Sequence, residues 1–206
     1  LEALVVGFSY YGGYWSNPSG EVARALDGYV VGGLRVRSLV LPVSFKVVRE
    51  ALREALHATR PALVVGLGLN PSTRTVDIEL AAVNRAFFTQ PDVDGYVADY
   101  EEVESGGPFT VYTTLPVREI IGECRARRGL PVKPSLSTGL YLCNVAAYLI
   151  MRYGLEMRVP AGFLHVPPST TNYLRRETSH GLPLQDIVES TLCVIEVAIK
   201  RGLETA

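Results

Sequence analysis

Cys143 stands in Ser135-Leu136-Ser137-Thr138-Gly139-Leu140-Tyr141-Leu142-Cys143-Asn144-Val145-Ala146-Ala147-Tyr148, a polar, glycine-bearing turn that runs straight into an apolar helix. The spacing puts the thiol in the first turn of that helix, beside unpaired backbone N–H groups and the positive end of the helix dipole. Such surroundings favour the thiolate, the form in which a cysteine attacks carbon. A thiol nucleophile also needs an imidazole to carry protons, and the imidazole needs an acceptor to fix its tautomer. His165 closes a short apolar strand, Ala161 to Pro168, at the strand end where open α/β sheets bind ligands. Glu79 lies between Val76 and Val83 with apolar residues behind it, an unusual setting for a carboxylate. Each residue also has an ordinary reading: Cys143 as a small buried hydrophobe, His165 as a satisfied core histidine, Glu79 as a solvated strand-edge acid. Spacing alone leaves both sets open.

The elements that must position these residues alternate along the chain. Ala3 to Phe8 is a continuous apolar run, as expected of a buried parallel strand. It empties into Gly7-Phe8-Ser9-Tyr10-Tyr11-Gly12-Gly13, whose spacing does not fit a dinucleotide fingerprint and whose rings suit the wall of a small apolar pocket. Asn17 and Pro18 then start a helix to about Leu26. Leu34 to Leu41 alternates as a strand, Ser44 caps a helix from Phe45 to His57, and Ala62 to Gly68 is a second buried strand. Arg74 to Asn84 shows half-buried alternation, with Val76, Ile78 and Leu80 opposite Thr75, Asp77 and Glu79. Phe87 to Gly107 is an acidic surface excursion able to cover a site. A strand at Phe109–Tyr112, a helix from Val117 to Arg128, a strand over 130–136 and the Cys143 helix to about Gly154 follow. An irregular stretch from Thr170 to His180 leads to a closing amphipathic helix from Leu184 to Leu203. The alternation predicts an α/β fold in a single domain over residues 1–206, with a largely parallel central sheet.

With 206 residues, 48% hydrophobic and 20% charged, the chain has the makings of one ordinary globular core. A net charge of −1 offers no basic surface for nucleic acid or anionic membrane, and no apolar run is long enough to span a bilayer. The start, Leu1-Glu2-Ala3, lacks the pattern of a signal peptide. Cys124, Cys143 and Cys193 are widely spaced and form no CxxC pair, which argues against a disulfide scaffold or a zinc site and fits a reducing cytoplasm. Cys124 and Cys193 are expected to pack in the core.

Several segments together resemble the pyroglutamyl peptidase I family, the pyrrolidone-carboxylate peptidases. They are the loop from Gly7 to Gly13 with Asn17-Pro18-Ser19, then Ile78-Glu79 with Ala82-Val83-Asn84, Thr114-Leu115-Pro116, Ser137 to Asn144, and Gly162 to Pro167. The order is the same and covers nearly the whole chain. The resemblance implies a cysteine exopeptidase that removes N-terminal pyroglutamate, with Cys143 as nucleophile, His165 as general acid/base and Glu79 orienting the imidazole. It implies that the rings of Phe8 and Tyr11 pack on the substrate lactam. It also implies a single-domain three-layer α/β/α sandwich with a twisted, largely parallel central sheet, and a cytoplasmic homotetramer that uses no metal or organic cofactor.

Three departures from the family pattern bear on activity. Ser9, Tyr10 and Tyr11 replace an acid, a proline and a phenylalanine in the first loop. Ser72-Thr73 stand where the family has Gly-Arg, with Arg74 displaced by one. Thr89 replaces an arginine thought to aid the oxyanion site, for which Arg85 or Gln90 is a candidate substitute. A catalytically weak or substrate-shifted relative, binding small N-terminal groups or serving as a scaffold, is therefore the alternative. A nucleoside phosphorylase-like enzyme is a third, weaker reading, since it calls for phosphate-binding arginines and no essential thiol.

Overall fold

The structure, a computed structural model, describes residues 1–204, with side chains to residue 202. Its elements are β1 (Glu2–Phe8), α1 (Pro18–Leu26), β2 (Val30–Val31), β3 (Leu34–Leu41), α2 (Phe45–Thr59), β4 (Leu63–Leu69), β5 (Val76–Glu79), β6 (Ala81–Val83), β7 (Ala86–Phe88) and β8 (Ala98–Glu101). The second half holds β9 (Thr110–Tyr112), α3 (Val117–Ile120), a π-helical continuation (Ile121–Arg127), β10 (Val132–Ser135), α4 (Leu142–Met157), β11 (Ala161–Val166), α5 (Thr170–Leu174) and α6 (Leu184–Glu204).

Seven strands form the main sheet in the order β10-β5-β11-β4-β1-β3-β2. Pairing is parallel except where β11 meets β5 and β2 meets β3. Because helices cover both faces, the central strands are apolar on both sides, which is why β1 and β4 read as unbroken hydrophobic runs. On one face α2 and α4 bury Val48, Leu52, Val145 and Leu149 against Val6, Val64 and Phe163. On the other, α1, the α3–π segment and α6 bury Val22, Leu26, Ile120 and Ile195 against Val5, Val65 and Leu164. Each such side chain, fully buried, stabilises the fold by about 1.5–3 kcal/mol relative to its exposed state.

Local signals set the boundaries. Asn17 Oδ1 accepts from Ser19 N at 3.1 Å at the start of α1, and Ser44 Oγ accepts from Val47 N at 3.2 Å at the start of α2. Two glycines let α1 lie directly on β1: a Cβ at Gly7 would fall 2.3 Å from Ser19 O, and one at Gly20 would fall 2.3 Å from Phe8 O. That contact fixes the departure of the aromatic loop from the end of β1.

Three expectations need correction. The stretch over 74–84 is two short strands rather than one: β5 belongs to the main sheet, and after Leu80 the chain leaves it to pair β6 with β9. Its polar side is buried as well, with Asp77 4% and Glu79 1% exposed, because Thr73, Thr75 and Lys133 close over Asp77 and His165 of the neighbouring strand packs against Glu79. The helix after Pro116 turns π-helical from Ile121. Most consequentially, Cys124 and Cys193 are joined in a disulfide with a Cα–Cα distance of 5.9 Å. The π segment and α6 pack side by side on one face, so two residues 69 apart in sequence meet there. The cysteine spacing that argued against disulfides, and with that for a reducing compartment, could not register that packing, and the bond removes that argument.

Candidate active site

The antiparallel pairing of β11 with β5 sets Phe163 opposite Glu79 and His165 opposite Asp77. Paired residues project to the same face of a sheet, here the face that Phe163 helps to fill beneath α4. His165 Nδ1 lies 2.7 Å from Glu79 Oε1. On its other side β11 runs parallel to β4 and places His165 opposite Gly68. A Cβ at Gly68 would lie 2.6 Å from Cys143 Sγ and 2.8 Å from the Phe163 ring, so the missing side chain makes the space that the thiol occupies. Cys143 enters from the first turn of α4, close enough to His165 for its sulfur to raise the imidazole pKa. The acid, the imidazole and the thiol, 86 and 22 positions apart along the chain, thus form one contiguous line. They are graded in depth: Glu79 is 1% exposed, His165 6%, and Cys143 half-buried.

With Nδ1 donating to the carboxylate, Nε2 is left for the thiol. Burial works hardest against a charged imidazole here. The hydrogen bonds and charges of Cys143 and Glu79 outweigh it and push the His165 pKa from 6.5 up to about 10. Glu79 Oε2 is buried and has no hydrogen-bond partner among the described residues, so His165 is the carboxylate's counter-charge. Asp77, directly opposite His165, is engaged elsewhere: Thr73 Oγ1 donates at 2.8 Å, Thr75 Oγ1 at 2.5 Å, and Lys133 Nζ lies at 3.6 Å.

The helix start beside the thiol is open. Tyr141 is the extended N-cap, with no side-chain cap, and its carbonyl accepts from Asn144 N at 3.0 Å and Val145 N at 3.3 Å. Among the described residues none accepts from the Leu142 or Cys143 N–H, which leaves two donors at the positive end of α4. Asn144 holds this corner in place. Its Oδ1 accepts from Val83 N at 3.0 Å and Thr138 Oγ1 at 2.8 Å, and its Nδ2 donates to the carbonyls of Val83 and Arg85, both at 2.8 Å.

Beside Cys143 is a cavity of about 60 Å³ lined by Phe8, Tyr11, Asn17, Val43, Leu69, Tyr141, Leu142 and Cys143. Phe8 and Tyr11, singled out from sequence, are therefore brought to the thiol. Tyr141 was not among those candidates; its position two residues before Cys143 was the available signal. The Tyr11 and Tyr141 rings stack at 5.9 Å and 27°, and Tyr141 meets Phe88 edge-on at 4.7 Å. Burial raises the pKa of both phenols. Larger depressions occur along α2 (about 990 Å³) and around Leu34, Pro160 and Ile199 (about 570 Å³), but neither contains a cysteine or histidine.

Arg85 does not reach the site. Its guanidinium is held by the Asn84 carbonyl at 2.6 Å and by Glu102 at 3.3 Å, over the rings of Tyr100 and Phe109. Thr89 is exposed, and the Gln90 amide nitrogen lies 3.8 Å from the Cβ position of Gly12 in the aromatic loop. Among the described residues no group of three His, Cys, Asp or Glu side chains is arranged to hold a metal, and no helix is long and apolar enough to cross a membrane.

Comparison with known proteins gives a consistent answer. The family model described as pyroglutamyl peptidase matches residues 1–201. The pyrrolidone-carboxylate peptidase of Pyrococcus furiosus is 33% identical over 206 residues, covering 99% of each chain. That of Chromobacterium violaceum is 33% identical, covering 97% of this chain and 93% of its own. A crystal structure of the Pyrococcus furiosus pyrrolidone carboxyl peptidase superposes with a TM-score of 0.92 at 31% identity, covering 98% of this chain and 100% of that one. A family match over almost every residue, backed by relatives of nearly equal length, makes this chain a member of the pyroglutamyl peptidase family of cysteine peptidases.

Proposed function

We propose that this chain, as one α/β domain, removes N-terminal pyroglutamate from peptides by acyl transfer through Cys143, His165 and Glu79. The observation that carries the reading is the buried line from Glu79 Oε1 to His165 Nδ1 at 2.7 Å and on to the Cys143 thiol. With its pKa raised to about 10, His165 rests as an imidazolium between a carboxylate and a sulfur.

In the first half-reaction Cys143 Sγ attacks the carbonyl carbon joining pyroglutamate to the next residue. The carbonyl electron pair moves to oxygen, where the Leu142 and Cys143 N–H groups stabilise the developing charge. Collapse breaks the C–N bond as His165 Nε2 gives its proton to the leaving amine, so a thioester and a neutral imidazole remain. Water, deprotonated by His165, then cleaves the thioester and restores the imidazolium and the free sulfur. Glu79 holds the ring and its Nδ1 proton throughout. The cavity beside Sγ, with Phe8 and Tyr11 in its wall, receives the five-membered ring.

A cytoplasmic location and assembly as a homotetramer belong to the same proposal; light scattering of the purified protein tests the tetramer. The decisive assay is release of a fluorogenic amine from a pyroglutamyl amide. Turnover is expected, with its loss on thiol alkylation and in Cys143→Ala. Equal rates for the wild type and Cys143→Ala across pH and temperature refute the peptidase reading and leave the binder or scaffold alternative.

A further inference from the structure

The small cavity beside Cys143 is walled mostly by hydrocarbon, from Phe8, Val43, Leu69 and Leu142. Its few polar side chains are not equally free. Asn17 is spent on structure: Nδ2 donates to Ser9 O at 2.9 Å, and Oδ1 accepts from Ser19 N at 3.1 Å and Ser19 Oγ at 2.7 Å. The Tyr141 hydroxyl is sealed from solvent, and its one hydrogen-bonding neighbour among the described residues is the Tyr11 phenol, which does not reach full hydrogen-bond geometry. A phenol buried without a partner is costly, and native proteins seldom keep one that nothing ever pairs with. Tyr11 stacks on the same ring and presents a second phenol to the same space.

We infer that the Tyr141 hydroxyl, with that of Tyr11 beside it, hydrogen-bonds the ring of the bound N-terminal group and selects five-membered lactams over saturated rings that lack an acceptor. The inference rests on the peptidase reading and names what sets the specificity of that site. A lactam oxygen gives a buried donor its missing acceptor, and a phenol also accepts, which suits the lactam N–H. A saturated ring of the same size would fill the cavity and leave the hydroxyl unpaired, the situation in which polar sites discriminate most strongly. Position adds to the case. Tyr141 is the N-cap of α4 and stands two residues before Cys143, so a ring held by its hydroxyl is held at a set distance from the sulfur. Burial keeps the phenol well above its ordinary pKa, so it remains a donor throughout the working pH range.

The test uses 2-pyrrolidone, the bare lactam ring, titrated by NMR into the Cys143→Ala protein with and without Tyr141→Phe. KM and kcat for a pyroglutamyl amide are measured in the otherwise wild-type background. Tyr141→Phe is expected to weaken 2-pyrrolidone binding about 3- to 10-fold and to raise KM by more than it lowers kcat. Its melting temperature should change little, since the hydroxyl has only its poorly aligned contact with the Tyr11 phenol to lose. Tyr11→Phe should act in the same direction. Unchanged lactam binding in Tyr141→Phe, with or without a lower melting temperature, overturns the inference. Tyrosine-dependent lactam binding by a wild-type protein that cleaves nothing supports it and refutes the peptidase reading alone.

Discussion

Glu79→Gln isolates the charge of the carboxylate while keeping a side chain of the same size and an acceptor for His165 Nδ1–H. In the wild type the imidazolium is stabilised by Cys143 and Glu79 against the cost of burial, and its pKa stands at about 10. A buried hydrogen bond between charged groups contributes about 1.5–3 kcal/mol, and one pH unit corresponds to about 1.4 kcal/mol. Removing the charge should therefore bring the alkaline limb of kcat/KM down from about pH 10 by about one to two pH units. The neutral-pH rate should fall on the order of 10²–10⁴, as it does when the carboxylate of a catalytic triad becomes an amide and no longer stabilises the imidazolium or fixes its tautomer. Stability should follow the same titration. The folded pKa of His165 lies above its unfolded 6.5, so the stabilisation from its proton is complete below about pH 6.5 and is lost as pH rises through about 10. The wild type should thus melt at progressively lower temperature between pH 7 and 10, and Glu79→Gln should show a shallower decline. The assays are a pH–rate profile on a pyroglutamyl amide and melting curves at matched pH values. An alkaline limb that stays near pH 10 in Glu79→Gln would refute the role given to the carboxylate.

Two further outcomes are expected. The Cys124–Cys193 bond closes a loop of 69 residues, for which chain entropy predicts about 4 kcal/mol of stabilisation. Cys193→Ser should then lower the melting temperature by roughly 10 °C, while the pyroglutamyl amidase rate at 25 °C stays within about twofold. A melting point within a degree or two of the wild type would show that the bond does not constrain the unfolded chain. Asn144→Ala strands Val83 N, Thr138 Oγ1 and two carbonyls at once. About 2–4 kcal/mol of stability should be lost in denaturant titration, with kcat falling further than in a surface control, because the start of α4 loses its tether.

The site was legible where chemistry and local signals coincide. Cys143 follows a glycine-bearing turn and opens a helix, and His165 ends an apolar strand; both features are short-range and survive in a bare sequence. Glu79 was harder. Alternation at Val76, Ile78 and Leu80 left a solvated strand-edge acid as an open reading, whereas the carboxylate is buried against His165. Only the pairing of β5 with β11 decides this, and pairing is a long-range property. The same holds for Cys124 and Cys193, whose meeting depends on two helices sharing a face. Tyr141 was not singled out, because its significance lies in the cavity that the ends of β1 and β4 and the segments following β1 and β3 build around it. Arg85 looked available as a spare cation until its partners Glu102, Tyr100 and Phe109 were in view.

The disulfide has one more consequence, for counting. Cys124 and Cys193 are fully buried and spend their sulfurs on each other, so the folded chain carries a single free sulfhydryl, at Cys143. A stoichiometric thiol reagent applied without reductant therefore counts intact reaction centres directly, one equivalent per chain. In denaturant the same reagent counts one thiol without reductant when the disulfide is intact and three after reduction, so comparing those two denatured readings reports the oxidised fraction of a preparation.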